Sequence, residues 1–426
     1  MSSIAQYLIL KGYSVYGYDR TLTEITNLLE SKGAKISFNK SLDDISLNSK
    51  LDDMQVIYSA AIKENHPVYL LFVNKGFEPI KRAVFLASVV NNTESYAIAG
   101  THGKTTTAAI LTHIFKQTNL SFSSFVGGIM MPDKTNFIYN GFDKTIVEAD
   151  EFDRSFLNLQ PYSGCITSID ADHLDIYKNH NSLKKAFIDF SKKIKNKLII
   201  HHSIPLDGIT YGINVEADYV FNNLVQSKNG YYVDLITPEQ KILNVFCRVS
   251  GKYNLENMLA AIALADQSGQ NINEITSSLK SFQGIYRRMS IYEIKNKILI
   301  DDYAHHPTEI SSVHEALREK YPDSFIEVVF QPHLFSRTRD FIDDFAFQLS
   351  KFDRIKLMKI YPARENPIKG INSKNLLKKI TSNASFLNDK YFNKNLDENN
   401  ANVIAVLGAG SIGEFFDNYI KLNTTK

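Results

Sequence analysis

Apolar residues at Ile4, Ala5, Tyr7, Leu8 and Leu10 recur at helical spacing, and Lys11-Gly12 closes this run before an extended stretch from Tyr13 to Tyr18. The chain therefore opens helix, turn, strand, and the strand ends at the acid Asp19. Short apolar runs at Lys35 to Phe38, Gln55 to Tyr58 and Pro67 to Phe72 are predicted strands separated by helical or loop segments, so this region reads as α/β. A boundary falls near Asn91-Asn92-Thr93.

The pattern then changes to SYAIAGTHGKTTTAAILTHIF, an apolar strand, a glycine turn and a helix that opens on threonines. Strands are expected at Lys144 to Val147 and Gly164 to Ile169, and an amphipathic helix over Ser182 to Ile194. Apolar and polar residues alternate from Asp218 to Val249 around Asn229-Gly230, which predicts an antiparallel hairpin. Asn254 to Ala265 reads as a helix. Beyond Gln283 to Arg288, strand patterns at Lys297 to Ile300, Phe325 to Phe330, Arg354 to Ile360 and Val403 to Leu407 alternate with helical segments. That is a third α/β unit.

The length agrees: 426 residues at about 150 per domain gives roughly three domains. The expected division is 1–92, 93–284 and 285–426. Apolar residues are 44% and charged residues 22%, enough for several cores and too ordinary for disorder. The formal charge of +2 lacks the basic excess of a dedicated nucleic-acid binder, so any anion must be recognised locally. Cys165 and Cys247 cannot build a disulfide framework, and the N-terminal segment has neither a basic n-region nor an apolar stretch longer than YLIL. No membrane segment is expected, and the cytoplasm is the expected compartment. Nothing in the sequence fixes an oligomeric state.

The strongest local chemistry is Gly100-Thr101-His102-Gly103-Lys104-Thr105-Thr106-Thr107 between strand and helix. Glycines let backbone N–H groups turn toward phosphate oxygens, the helix N-terminus adds partial positive charge, Lys104 can reach a transferable phosphate, and Thr105 can ligate Mg2+. The segment departs from G-x-x-x-x-G-K-[ST] only where Ile98 replaces the first glycine. A chance glycine turn at a helix start would not carry Lys-Thr in register. Mg2+ also needs carboxylate oxygen. Glu148, at the carboxyl end of a predicted strand in VEADEFD, is the first candidate, with Asp150, Glu151 and Asp153 as competitors and an acidic surface loop as the plain alternative. The next strand ends in SIDADHLD, placing His173 at the same sheet edge as a metal or phosphate contact. A lone histidine is more often structural, but this one lies among acids.

GTHGKTTT, VEADEFD, IDADHLDIY, GKYNLENMLAAIA, GIYRRM, DDYAHHPTE, FQPHLFSRTRD and YPARENPI resemble, in order, the motifs of the Mur ligases of peptidoglycan synthesis. The resemblance runs collinearly from about Met1 to Gly413. It implies three domains: a truncated Rossmann-like UDP-binding domain, a central P-loop ATPase-type domain and a C-terminal Rossmann-like domain. It implies an ATP-dependent ligase that phosphorylates the lactyl carboxylate of UDP-N-acetylmuramic acid and lets the L-alanine amine displace phosphate. By resemblance Lys104 contacts the γ-phosphate, Thr105 and Glu148 hold one Mg2+, His173 holds a second, and Asn257 contacts adenine. Arg287 and Arg288 suit the ATP phosphates, and Asp301 or Asp302 the ribose hydroxyls. Tyr303, His305 and Arg337 engage amino acid and product, with Arg337 partnering the alanine carboxylate.

Two departures follow. Leu334 comes directly after His333 where many relatives carry arginine, so one substrate contact is lost or supplied from elsewhere. The family's first strand and G-x-G-G-x-G-M turn would precede Met1, with Asp19 as the acid ending the second strand. The chain as given is expected to bind the UDP substrate poorly, or its reading frame to begin upstream.

His305-His306-Pro307-Thr308-Glu309 reads equally well as a helix start. Gly408-Ala409-Gly410-Ser411-Ile412-Gly413 matches a dinucleotide fingerprint, but too little chain follows for a second strand and its acid, so it reads as the turn of the last strand-helix pair. The competing functions are a sister ligase that attaches a preformed peptide to the same sugar nucleotide, a P-loop ATPase without ligase activity, and a non-catalytic remnant.

Overall fold

The computed structural model describes residues 1–42, 54–170, 177, 179–363 and 365–424. At its centre the strand Glu94–Ala99 lies between Lys144–Glu148 and Ser163–Ile166, all parallel, within a ten-stranded sheet. Beyond Ser163–Ile166 the sheet continues through Leu198–His201 and Ile209–Ile213 into the expected hairpin Tyr219–Ser227 and Gly230–Ile236, with Lys241–Cys247 as a third antiparallel strand. The opposite edge is Phe122–Met130 paired antiparallel with Thr135–Tyr139.

A period of two puts alternate residues of the central strand into different cores. Tyr96 and Ile98 join the helices Lys104–Gln117 and Lys252–Asp266 on one face. Ala97 and Ala99 face Arg82–Asn91 and His180–Ser191 on the other. Because both faces are covered, the strand reads as continuously apolar rather than alternating.

The C-terminal sheet has six strands in the order Ser290–Ile294, Lys297–Asp302, Val403–Leu407, Ile326–Phe330, Arg354–Leu357 and Asn383–Phe386. Only its first pair is antiparallel. The last predicted strand is thus central, and Val403, Ala405 and Leu407 enter one core while Ile404 and Val406 enter the other.

Before Glu94 the described strands form two parallel pairs, Tyr16–Tyr18 with Lys35–Ser37 and Ile57–Tyr58 with Ile80–Lys81. The helix Ser2–Leu10 packs on the central domain, where Tyr7 meets the rings of Phe125 and Phe142 at 5.5 Å each. The predicted strand Pro67 to Phe72 is a helix, Pro67–Asn74. A short apolar run does not distinguish the two periods, and the start decides it: Pro67 occupies the first turn and His66 Nδ1 accepts the Val68 N–H at 3.2 Å.

The central and C-terminal units join at Gly284 to Met289. Met130 pairs with Ile285 in an antiparallel bridge, and the Tyr286 N–H donates to Ile129 O at 2.9 Å. The helix Pro307–Lys320 is tied to the central hairpin by Tyr231 Oη donating to Glu319 at 2.8 Å and Lys320 Nζ donating to Lys228 O at 2.6 Å. No helix among the described residues is long and apolar enough to cross a membrane.

Candidate active site

Three parallel strands deliver the glycine loop Gly100 to Lys104 and the carboxylates that follow the neighbouring strands to one sheet edge, where open α/β sheets place their ligands. Gly103 begins the helix with φ +84°, a left-handed conformation that costs a side-chain-bearing residue roughly 1–2 kcal/mol. A Cβ there would lie 2.2 Å from Asn257 Oδ1. Asn257 therefore packs directly behind the loop, and Thr106 is buried in the first turn.

The loop is stapled to the end of the neighbouring strand. Thr101 Oγ1 accepts the Asp170 N–H at 2.9 Å, the His102 N–H donates to Ser168 Oγ at 2.8 Å, and Thr167 Oγ1 donates to His102 O at 2.5 Å. Lys104 Nζ donates to Gly100 O at 2.5 Å and to Glu151 Oε2 at 2.7 Å. Burial opposes the ammonium charge, but Glu151 and Asp150 outweigh it and raise the Lys104 pKa. Glu151, one of the four acidic candidates, thus partners the lysine.

Glu148 faces the other side of the helix start. Its Oε1 accepts from Thr105 Oγ1 at 2.7 Å and its Oε2 from the Gly127 N–H at 2.6 Å. A Cβ on Gly127 would come within 2.4 Å of that carboxylate. Gly127 and Gly128 line this corner, and only the doubled glycine in FVGGIMM hinted at it. A hydroxyl and a carboxylate side by side form a hard-oxygen pair of the kind Mg2+ takes. His173 lies outside the described residues.

His102 carries its side chain toward the C-terminal domain. Its Nε2 is 3.2 Å from Asp170 Oδ2 and its Nδ1 is 3.6 Å from Glu309 Oε1. Burial would lower its pKa, but the two carboxylates prevail and raise it to about 9. Ligand atoms of His102, Asp170 and His306 lie within 4.8 Å of one another. His306 Nδ1, however, accepts the Thr308 N–H as helix cap, so its Nε2 carries the proton and is closed to a metal. The helix-start reading of His305 to Glu309 is correct, and this same start sits against the glycine loop, with the His102 and His306 rings 5.0 Å apart.

On the C-terminal side Arg287 and Arg288 flank Tyr303, their guanidinium carbons 5.5 Å and 5.2 Å from its ring centre. Arg287 Nε contacts Asp301 at 3.1 Å and its Nη2 donates to Gly408 O at 2.6 Å. Its backbone is left-handed at φ +58°. The final glycine turn joins the last strand to the helix Ile412–Thr424, as expected, and gives Arg287 a backbone acceptor. Asp301 and Asp302 end their strand as expected, yet both are turned inward and buried. Burial raises Asp301 to about 7 against the pull of Arg287, and Asp302 to about 6 while it accepts the Met289 and Ala304 N–H groups at 2.7 Å and 2.8 Å. Tyr303 is exposed, and His305 Nδ1 lies 2.8 Å from Tyr303 O. Arg337 is buried in the helix Phe335–Asp340, after the strand Ile326–Phe330 at the same sheet edge. Leu334, just before that helix, has φ +71°. Asp19 caps its own turn through the Thr21 N–H and is exposed.

Family models match over residues 1–93 (Mur ligase family, catalytic domain), 98–265 (Mur ligase middle domain) and 287–411 (Mur ligase, glutamate ligase domain). The chain belongs to the Mur ligase family. The UDP-N-acetylmuramate--L-alanine ligase of Christiangramia forsetii is 44% identical over 421 residues, covering 97% of this chain and 93% of that protein. The enzyme of the same name from Flavobacterium psychrophilum is 44% identical over 430 residues, covering 99% and 95%. Among solved structures, the UDP-N-acetylmuramate-alanine ligase of Thermotoga maritima superposes on this Mur ligase with a TM-score of 0.81 at 26% identity, covering 99% and 96%. A murein peptide ligase from Psychrobacter arcticus gives 0.69 at 20%, covering 99% and 96%, a likeness of fold.

Proposed function

We propose that this Mur ligase joins L-alanine to UDP-N-acetylmuramic acid at the expense of ATP, in peptidoglycan precursor synthesis. The observation that carries the reading is the pairing at one sheet edge of Lys104 with Glu151 and of Thr105 with Glu148, on a chain 44% identical to alanine-adding ligases. Its three domains are taken as 1–92, 93–284 and 285–426, and its compartment as the cytoplasm.

A carboxylate is a poor electrophile. In the first step a lactyl carboxylate oxygen bonds to the γ-phosphorus of ATP as the bond to the bridging oxygen breaks and ADP leaves. In the second the alanine amine bonds to the acyl carbon, phosphate leaves with the electron pair of the C–O bond, and the amine loses a proton. Lys104 would move from Glu151 toward the γ-phosphate, where fixed positive charge stabilises the negative charge that develops in transfer. Thr105 and Glu148 would hold one Mg2+ and His173 a second; the ion neutralises phosphate charge.

Gly100, Thr101, Gly103 and Thr106 form the cradle for the phosphates, and Asn257 behind it is assigned to adenine. Arg287 and Arg288 are assigned to ATP phosphates, and Asp301 or Asp302 to the ribose hydroxyls, which requires Arg287 and the aspartates to exchange their internal partners for nucleotide. Tyr303, His305 and Arg337 are assigned to the amino acid, with Arg337 on its carboxylate, and Asp19 to the UDP-sugar.

The test is phosphate release from ATP and Mg2+ with UDP-N-acetylmuramic acid and each amino acid in turn. Release that requires both the sugar nucleotide and L-alanine is expected. Release only with a tripeptide would move the chain to the peptide-attaching branch, and release without the sugar nucleotide would leave a bare ATPase.

A further inference from the structure

We propose that Glu309 is a positioning residue that couples docking of the C-terminal domain to the shape of the phosphate loop, acting through His102. The proposal rests on the reading of that loop as the ATP site and adds a residue to it.

The two oxygens of Glu309 face different ways. Oε2 accepts the N–H groups of His305 at 2.9 Å and His306 at 3.2 Å, completing the capping box of its own helix. Oε1 lies 3.6 Å from His102 Nδ1 across the domain boundary and 3.6 Å from Arg288 Nη1 of its own domain. A helix cap needs only one acceptor, so the second oxygen is free to serve the neighbouring domain. Nearby, Thr308 Oγ1 donates to Asp170 Oδ2 at 2.7 Å, and the same Asp170 carboxylate meets His102 Nε2. His102 is therefore held between one carboxylate of its own domain and one of the other.

His102 is also the loop residue whose N–H and carbonyl are fixed by Ser168 and Thr167, two positions before Lys104. Its side chain gives the C-terminal domain a grip on the backbone that must present N–H groups to phosphate. With Glu309 in place, the loop and Arg288 are set together. Without it, the imidazole keeps only Asp170 and the loop loses its link to the domain that brings the amino acid.

Glu309→Gln tests this role, because glutamine still caps the helix through its oxygen and keeps an acceptor 3.3 Å from His305 Nδ1, but turns an NH2 donor toward His102 and Arg288. The experiment measures binding of a non-hydrolysable ATP analogue with Mg2+ to the full chain by calorimetry, with thermal melting alongside. Glu309→Gln is expected to melt as the wild type does and to bind the analogue about 5–150-fold more weakly, the usual range of coupling between sites. His102→Gln, which leaves the cap untouched, is expected to give a similar loss, and the double variant no more than either single. Wild-type binding in Glu309→Gln, or losses that multiply in the double variant, would overturn the coupling. If Glu309→Gln melts early, wild-type binding in His102→Gln overturns it alone. Failure of alanine-dependent phosphate release in the wild type would instead sink the ligase assignment, while the binding cycle stays readable.

Discussion

Lys104 holds its ammonium 2.7 Å from a Glu151 carboxylate that is only 1% exposed. An ion pair so placed is costly to break from one side, because the partner remains as a buried, uncompensated charge. The lysine is thereby kept charged and aimed along the loop until an anion competes for it.

From this pair comes the first prediction. Glu151→Ala should destabilise the ligand-free protein by about 3–5 kcal/mol. Saturating ATP and Mg2+ should recover part of that loss, since the phosphate supplies Lys104 with a new anion. Urea unfolding with and without nucleotide measures both; an equal loss in the two conditions would show that Lys104 does not reach the phosphate.

Glu148 is expected to govern the metal requirement. Glu148→Gln keeps an acceptor for Thr105 or Gly127 but removes the charge, and the Mg2+ concentration for half-maximal turnover should rise at least about 10–100-fold, the range that even outer-shell changes give. An unchanged Mg2+ titration would return the metal role to Asp150 or Asp153.

Gly103→Ala should impair nucleotide binding severely, because φ +84° disfavours alanine and the new Cβ would stand 2.2 Å from Asn257 Oδ1. The two causes separate in a double variant: adding Asn257→Gly removes the collision and leaves only the left-handed cost of roughly 1–2 kcal/mol. Partial recovery of analogue affinity in that background is expected, unless the Asn257 side chain itself carries the adenine contact.

The pH dependence follows from His102. Its folded pKa is raised to about 9 from an ordinary 6.5, because Asp170 and Glu309 outweigh burial. A group that gains basicity on folding contributes stability that is fully present below its unfolded pKa and is lost as pH rises through its folded pKa. The contact between loop and C-terminal domain should therefore weaken between about pH 6.5 and 9. Denaturation midpoints across that window should fall more steeply for the wild type than for His102→Gln.

The elements most legible in the sequence were those whose apolar runs were long or whose ends were marked. SYAIAG followed by GKTTT fixed a strand, a turn and a helix, and Asn229-Gly230 located a hairpin. Pro67 to Phe72 misled because a run that short fits either period, and the strands Leu198–His201, Ile209–Ile213 and Asn383–Phe386 carried too few marked ends to be singled out. Of the site, Lys104, Thr105 and Glu148 could be singled out from the chain as candidates because phosphate and metal chemistry restricts residue type, and the structure brings Thr105 and Glu148 into contact. Glu151, Gly127 and Glu309 could not be placed, since one acid or glycine in a short cluster looks like the next.

The sequence by itself determined the three α/β units, the glycine turn between strand and helix at Gly100 to Lys104, and the family, all set by local periodicity or by residue types in a fixed order. The tertiary structure decided which partners those residues take. Glu151 rather than Glu148 pairs with Lys104, Arg287 and Asp301 bind each other, and a helix start more than two hundred positions away in the chain meets His102 of the glycine loop. Such pairings depend on strand order and on the docking of one domain against another. Neither is encoded in any single stretch of residues, and both arise only when distant segments bury their apolar faces together.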